Sequence, residues 1–258
     1  MEYALALYYG FIPANKIAMA TANLANDILN KSHQQTFPDA QGNNPTIPAG
    51  HLTTGFHGSR ALLPVLSEYG RNDVAYDLLL ADTYPSWLYP VKLGATTAWE
   101  RWDGWTPEKG FQDPRMNSFS MPDLMASVGE WLFHYVGGIG QQGEGFKNIL
   151  IKPYIGAGLT WARVSYDSMH GTIAVRWEKN GGIFVVNVTI PANTSATVGL
   201  PGSGTGPVTI TESGKPVWSD GAYVGGVVGI SGASEKRERI DVAVGSGTYS
   251  FSVIGGGK

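Results

Sequence analysis

The spacing of apolar residues changes once along this 258-residue chain, and that change limits the folds open to it. In the first half, apolar side chains recur every three to four positions, which is typical of amphipathic helices. After about residue 145 they alternate or run in short blocks bounded by turn residues, which is typical of strands. Helices followed by strands favour an α+β chain with two domains.

Apolar residues at helical spacing predict helices at both ends of the first half. Residues 15–29 place their larger apolar side chains on one face. A later helix begins after Ser120 and ends at Gly137. Between them, residues 83–118 are rich in Trp, Pro and Gly and show no clean period. Long irregular segments of this kind are often functional in compact domains.

A helical hairpin is predicted in the middle of the first half. Its first helix covers residues 59–69, with Ser59 as N-cap. Pro64 conflicts with this helix, because a proline beyond the first turn kinks or breaks it. Gly70 suits the position just after a helix C-terminus, and Asn72 begins the second helix.

Strand-like segments fill the second half and predict an antiparallel β-sandwich. They cover residues 148–153, 159–167, 172–178, 183–190, 196–200, 208–211, 240–244 and 248–253. The dipeptide Asn180-Gly181 is a strong hairpin signal between two of them. A Gly- and Gln-rich stretch at residues 140–146 is interpreted as a linker, which gives domains at 1–145 and 146–258.

The composition excludes several classes of function. The net charge is −3 and 15% of the residues are charged, so nucleic acid and anionic membrane surfaces are not expected partners. The chain has no cysteine, which excludes disulfides and thiolate metal sites. No stretch is apolar enough to span a bilayer, and the first residues lack the pattern of a signal peptide. We expect no cofactor, and we leave localisation open, with the cytoplasm favoured.

One segment concentrates residues suited to chemistry on sugars. Residues 94–105 contain three indoles, two carboxylates and one guanidinium: Trp99, Trp102, Trp105, Glu100, Asp103 and Arg101. A glycosidase needs a carboxylate to activate water and flat rings to hold the sugar against it. The same residues also fit a packed core in which Glu100 pairs with Arg101 or another base. Spacing alone leaves both interpretations open.

The same segment resembles the GATT-x-WERWDGW signature of the α-L-rhamnosidases, glycoside hydrolase family 78. Further stretches match that family along nearly the whole chain, and the likeness weakens after about residue 201. They are residues 50–56, 62–70, 84–87, 116–119, 128–131, 146–147, 149–153, 165–167 and 190–194.

The resemblance implies a helical (α/α)6 barrel that hydrolyses a terminal α-L-rhamnosyl bond with inversion. Glu100 matches the family's glutamate with a general-base role, which would deprotonate the attacking water while an acid on the opposite face protonates the leaving oxygen. Substrate contacts are expected from seven residues: Trp99, Trp102, Trp105, Trp87, Arg101, Asp103 and His51. Two of these residues have an equally good alternative explanation. Trp87 could instead pack in the core, and His51 could have a structural role.

Two departures from the family pattern bear on catalysis. The family's acid-bearing run, of the type Asp-Cys-Pro-x-Arg-Asp-Glu-Arg, is absent from this sequence. After Phe119 the chain reads Ser120-Met121-Pro122-Asp123, where family members have an Asn-His-Tyr-like run. Asp123 is a candidate substitute acid, although a carboxylate in the first turn of a helix also has a purely structural explanation.

Three hypotheses follow from the sequence. The leading one is an α-L-rhamnosidase-like hydrolase with Glu100 as base, in a shortened chain. The second is a carbohydrate-binding remnant that holds sugar without turnover. The third adds that the helices of a partial barrel expose apolar faces, so that the chain associates into a homo-oligomer.

Overall fold

The computed structural model describes residues 2–35, 42–112, 118–120, 127–202, 206–236 and 239–255. The chain separates into two compact units. The first unit comprises Met1–Trp131 and Gly156–Gly158, and the second comprises Leu132–Ile155 and Leu159–Lys258. Within the described ranges, no helix is long and apolar enough to cross a membrane.

The described part of the first unit consists mainly of short helices. They are α1 (Glu2–Tyr8), α2 (Ile17–Asn30), α3 (Phe56–Glu68), α4 (Asn72–Leu80), α5 (Leu88–Lys92) and α6 (Val128–Trp131). Two small sheets accompany them: β1 (His33–Gln34) pairs with β2 (Thr46–Ile47), and β3 (Trp105–Thr106) pairs with β4 (Gly110–Phe111). The helix predicted over residues 15–29 is confirmed as α2, which a 3-10 turn at Ala14–Lys16 precedes.

The start of α3 corrects one prediction. The helix begins at Phe56 after Gly55, so Ser59 lies within its first turn and is not the N-cap. The hydroxyl of Ser59 contacts the hydroxyl of Thr54 at 2.8 Å, and both side chains are buried. Pro64 is accommodated inside the helix, where its missing N–H removes one bond of the helical ladder.

The connection between α3 and α4 confirms the predicted helical hairpin. Gly70 has a φ of +82°, the left-handed conformation that glycine adopts without a Cβ penalty. The Arg71 N–H donates to the Leu66 carbonyl at 2.7 Å, and the Gly70 N–H donates to the Ser67 carbonyl at 3.4 Å. These two bonds form a Schellman motif, which satisfies carbonyls at the end of α3.

Trp131, at the end of α6, is fully buried against this hairpin. Its indole N–H donates to the Ser67 hydroxyl at 2.9 Å. Its ring meets Tyr76 of α4 edge-on, with ring centroids 5.2 Å apart. Gly156 lies so close to the Tyr76 ring that an added Cβ would overlap it. The indole therefore joins three helices, and residue 156 has no room for a side chain.

The helix predicted after Ser120 is described only from Val128, because residues 121–126 lie outside the described ranges. Leu132–Val136 continue from α6 as a π-helical turn. The Gly137 N–H donates to the Leu132 carbonyl at 2.8 Å, and Gly138, at φ +77°, directs the chain away. The predicted end of this helix at the paired glycines is confirmed.

Two larger sheets make up the second unit. Their strands are β5 (Ile139–Gln141), β6 (Asn148–Ile151), β7 (Trp161–Ser168), β8 (Gly171–Asn180), β9 (Ile183–Ile190), β10 (Ser195–Pro201), β11 (Val208–Glu212), β12 (Lys215–Ser219), β13 (Ala222–Tyr223), β14 (Ile230–Lys236), β15 (Arg239–Val244) and β16 (Gly247–Gly255). One sheet has the order β14-β15-β10-β6-β5, and the other has the order β13-β12-β11-β16-β9-β8-β7. All pairings are antiparallel except that of β10 with β6.

Alternation of burial along the strands shows how the sheets form a sandwich. On β8, Ile173, Val175 and Trp177 are buried, while Arg176 and Glu178 between and beyond them are exposed. Period-two alternation of this kind places every second side chain in the core and leaves the others on a solvent face. The Trp177 indole N–H, inside the core, donates to the Val136 carbonyl at 2.7 Å.

The predicted hairpin at residues 180–181 is confirmed, with its loop one residue later. Asn180 pairs with Ile183, and Gly181 and Gly182 form the two-residue loop with φ values of +55° and +85°. Positive φ at both loop positions matches the primed turn that joins twisted strands. In contrast, the first two residues of the expected linker, Gly140 and Gln141, belong to β5, because they pair with β6.

Candidate functional site

A cleft of about 300 Å³ lies in the first unit, at the segment singled out in the sequence. Its lining combines aromatic rings with small and hydroxyl-bearing residues: Leu93, Gly94, Ala95, Thr96, Thr97, Trp99, Trp105, Phe111 and Phe119. Rings that hold the apolar faces of a ligand, next to a few polar groups that orient it, are typical of small-molecule sites.

The end of α5 forms one side of this cleft. Gly94 adopts a φ of +84°, and the Ala95 N–H donates to the Pro90 carbonyl at 2.9 Å. This turn ends the helix and sends the chain into Thr96 and Thr97, whose side chains are exposed in the cleft. The opening glycine of the sequence motif therefore has a local role, which is to end a helix where the site begins.

The β3–β4 hairpin supplies two of the aromatic rings. Its register places Trp105 opposite Phe111. Phe111 is 73% exposed, and its ring meets Phe119 edge-on with centroids 5.3 Å apart. Phe119 in turn meets the buried Trp99 edge-on at 5.4 Å. The rings thus form a continuous aromatic wall from the core to the solvent.

Glu100 is held by the backbone of Ser118. The Ser118 N–H donates to Oε2 of Glu100 at 2.8 Å, and the Glu100 N–H donates to the Ser118 carbonyl at 2.8 Å. Among the described residues, Oε1 of Glu100 has no hydrogen-bond partner. The carboxylate is therefore oriented through one oxygen, and the other can accept a proton from a bound water.

Arg101 forms an ion pair with Asp103 and not with Glu100. Its Nε and one terminal nitrogen donate to the two carboxylate oxygens of Asp103 at 2.9 and 3.0 Å. Both side chains are largely buried, at 16% and 13% exposure. The bidentate pair of Arg101 and Asp103 fixes the loop that carries the motif.

Burial raises the pKa of the nearby Tyr89, and the negative charges of Glu108 and Asp103 raise it further.

Trp87 and Trp102 pack against each other in the core of the first unit. Their rings meet edge-on with centroids 5.7 Å apart, and both are buried. Neither belongs to the lining of the cleft, whereas Trp99 and Trp105 do. Within the described ranges, the buried indole N–H of Trp87 has no hydrogen-bond partner. The direct sugar contacts predicted for Trp87 and Trp102 remain predictions, and the described packing gives both a supporting place.

His51 has partners for both ring nitrogens. Nδ1 lies 3.0 Å from the Ala49 carbonyl, and Nε2 lies 2.7 Å from the Thr83 hydroxyl. Because a carbonyl can only accept, Nδ1 carries a proton, and the hydroxyl donates to Nε2 when the ring is neutral. His51 is also absent from the lining of the cleft, so its substrate contact stays a prediction.

Four residues of the cleft lining were not named as candidates from the sequence. Phe111, Phe119, Thr96 and Thr97 line the cleft, although only the sequence motif around them attracted attention. The available sequence signal for Phe111 was its place in the irregular segment of residues 83–118. Asp123, the candidate acid, lies outside the described residues. Across the described ranges, no group of three or more His, Asp or Glu side chains is placed to hold a metal ion.

The oriented carboxylate of Glu100 is not itself part of the cleft lining, but it belongs to the residue that follows Trp99, which is. Comparison with known proteins identifies the class. Residues 1–136 match the bacterial alpha-L-rhamnosidase 6 hairpin glycosidase domain, and residues 138–215 match the bacterial alpha-L-rhamnosidase C-terminal domain. The chain belongs to the bacterial α-L-rhamnosidase family, which confirms the resemblance and the expected fold, a partial (α/α)6-barrel helical domain followed by an antiparallel β-sandwich.

Individual relatives agree with this assignment. An α-L-rhamnosidase of Streptomyces avermitilis is 46% identical over 151 residues, which are 58% of this chain and 15% of that protein. The crystal structure of a Streptomyces avermitilis α-L-rhamnosidase complexed with L-rhamnose has a TM-score of 0.75 and 34% identity over 97% of this chain and 21% of that one. An α-L-rhamnosidase structure from Dictyoglumus thermophilum has a TM-score of 0.80 and 25% identity over 98% and 25% of the two chains. The chain thus spans about a quarter or less of the length of these relatives.

Proposed function

We propose that the chain acts in the hydrolysis of terminal α-L-rhamnosyl bonds, with Glu100 as the general base. The observation that carries this proposal is the carboxylate of Glu100, oriented by the Ser118 N–H at 2.8 Å next to an aromatic cleft. A base must be held in a fixed direction while it takes a proton, and a backbone N–H bond to one carboxylate oxygen supplies that direction.

The proposed reaction inverts the anomeric carbon. Glu100 takes a proton from a water molecule as that water attacks the anomeric carbon from the face opposite the leaving group. The bond between the anomeric carbon and the leaving oxygen breaks, and a second carboxylic acid gives this oxygen a proton. The proposal assigns the base to this chain and leaves the acid unassigned, since the family's acid-bearing run is absent from the sequence.

The aromatic residues would hold the sugar. Trp99 and Trp105 line the cleft and can face the C–H groups of a deoxy sugar, while the hydroxyls of Thr96 and Thr97 can bond to its hydroxyl groups. Supporting roles are proposed for four residues that shape or brace the site: Trp87, Trp102, Arg101 and Asp103. His51 is proposed to act through its bond with Thr83.

The test uses an aryl α-L-rhamnoside with a nitrophenolate leaving group, which departs without help from an acid. This substrate isolates the base step. We expect Glu100→Gln to lower kcat by about 10²–10⁴, and proton NMR of the first product to show the inverted anomer. Glu108→Gln is the matched control, because Glu108 is an exposed carboxylate of the same segment. Equal rates for the wild type and Glu100→Gln would overturn the proposal.

A second candidate function is sugar binding without turnover. The observation that favours it is that the described lining of the cleft holds rings and hydroxyls but no carboxylate. Calorimetry with L-rhamnose separates the two candidates. Binding that Trp105→Ala abolishes, with no release of nitrophenolate by the wild type, would establish binding alone.

We also propose that the chain forms a homo-oligomer, for which α1 provides an exposed aromatic surface.

A further inference from the structure

A second surface suited to a ligand lies on the outer face of the seven-stranded sheet, in the other unit. The strand register aligns a transverse row of four side chains on this face: Arg163 of β7, Arg176 of β8, Asn187 of β9 and Ser250 of β16. Three strand spacings of about 4.8 Å make this row about 14 Å long. The row is polar and has a large aromatic ring at one end.

That ring is Trp161, the first residue of β7, which lies at the edge of the sheet. It is 57% exposed. The guanidinium carbon of Arg176 lies 5.8 Å from its ring centroid, which is within cation–π distance. Arg176 also pairs with Glu178, which stands directly opposite Trp161 in the register. The indole is therefore braced by its neighbours while most of its surface remains in water.

Arg163 lies directly opposite Arg176 in the register of β7 and β8. Like charges at directly opposed positions destabilise a sheet. Glu178 accompanies Arg176, whereas Arg163 has no ion-pair partner among the described residues. Asp167 lies on the same face four residues along β7, about 13 Å away, and accepts a hydrogen bond from the Thr172 hydroxyl at 2.7 Å. The uncompensated positive charge on this part of the face is therefore that of Arg163, two residues along β7 from the exposed indole.

The neighbouring strands leave the face flat. Beyond Arg176, the outward positions of β9 and β16 in this row carry the amide of Asn187 and the hydroxyl of Ser250. The adjacent outward positions carry Val185 and Ser252, which are only partly exposed. Short side chains of this kind can form hydrogen bonds with an extended ligand and do not block it.

We propose that this face binds an oligosaccharide that carries carboxylates, of the uronic acid class. One sugar ring lies on the open surface of Trp161, where its C–H groups replace water against the indole. Its carboxylate lies between Arg163 and Arg176, because guanidinium groups bind carboxylates through paired N–H groups. The hydroxyls of the following sugars bond with Asn187 and Ser250. The opposed arginines, unfavourable alone, are stabilised once the anion is bound.

This surface is independent of the cleft in the helical unit. A failure of the rhamnosidase proposal leaves it intact, since no residue of the cleft takes part. Conversely, Trp161→Ala is expected to leave hydrolysis of a small aryl rhamnoside unchanged.

The test is affinity electrophoresis of the full chain in gels that contain polygalacturonate, with the methyl-esterified polymer as a neutral match. Retention is expected only in the acidic polymer, and it should weaken with salt. Trp161→Ala and Arg163→Gln should each weaken binding by about tenfold, a loss of one favourable ring or ionic contact. Thr209→Ala, an exposed position of the same sheet, is the control and should bind like the wild type.

Three outcomes would overturn the proposal. Equal retention in the acidic and esterified polymers would remove the role of the arginines. Loss of retention in Phe111→Ala, but not in Trp161→Ala, would transfer binding to the cleft. Absence of retention in both polymers, for a wild-type chain with intact far-ultraviolet circular dichroism, would show that the face does not bind this class of ligand.

Discussion

The two acidic residues of the motif, three positions apart, have different environments. The carboxylate of Glu100 is bound on one oxygen by a backbone N–H, while that of Asp103 is engaged on both oxygens by Arg101. The guanidinium next to Glu100 in the sequence is therefore directed to the other carboxylate. This division leaves one oxygen of Glu100 without a partner among the described residues, as the proposed base role requires, and it pairs both oxygens of Asp103 with Arg101.

Asp103→Asn tests that division. Loss of a largely buried charge partner for Arg101 should lower the free energy of unfolding by about 1–3 kcal/mol, measured by urea denaturation. Glu178→Gln is the matched control, because the pair of Arg176 and Glu178 is about half exposed, and exposed pairs contribute about 0–1 kcal/mol. Equal losses in both variants would contradict the structural role of Asp103.

At the scale of elements, the sequence predicted those helices and turns that depend on nearby residues. The helix at residues 15–29, the hairpin closed by Gly70 and the β8–β9 turn all depend on residues within a few positions of one another. The start of α3 was mispredicted, since Gly55 ends the preceding segment without a side-chain cap. Strands β12 to β14 were missed because β13 is only two residues long and the connections around these strands are rich in glycine.

Gly70→Ala tests the closure of the helical hairpin. Alanine at a φ of +82° is strained, so the free energy of unfolding should fall by about 1 kcal/mol. Gly129→Ala is the control, because Gly129 lies in α6 with ordinary helical geometry and open space at its Cβ position. There alanine should stabilise by about 0.5–1 kcal/mol. Thermal unfolding of the two variants should therefore shift in opposite directions.

At the scale of the whole molecule, the sequence motif coincides with the candidate cleft, but spacing alone did not separate the residues that line the cleft from those in the core. Trp99, Trp102 and Trp105 lie within seven positions, yet Trp102 packs on Trp87 while the other two reach the cleft. Which side of a loop faces the ligand depends on contacts with distant residues, such as Phe119 against Trp99. Similarly, the register that opposes two arginines on β7 and β8 appears only once strands pair.

The homo-oligomer proposal also belongs to this scale. Tyr9 and Phe11, after α1, stack with centroids 6.0 Å apart and are 61% and 77% exposed. Because such a surface gains by leaving water, we expect a multiple of the 27.6 kDa chain mass in light scattering at micromolar concentration. Phe11→Ser should lower the average mass, whereas Val228→Ser, which removes an isolated exposed side chain, should not. A monomeric mass for the wild type would contradict the proposal.

The position of β16 has a consequence for the order of events during synthesis. This strand, at residues 247–255, lies between β9 and β11 in the middle of the seven-stranded sheet. Before it emerges from the ribosome, the ribbon of β7, β8 and β9 and the ribbon of β11, β12 and β13 lack the strand that joins them. Long-range pairings of this kind form slowly, since the intervening chain must first close a loop. The nascent sandwich therefore stays open until nearly the whole second unit has been translated, and its unpaired edges need protection until then.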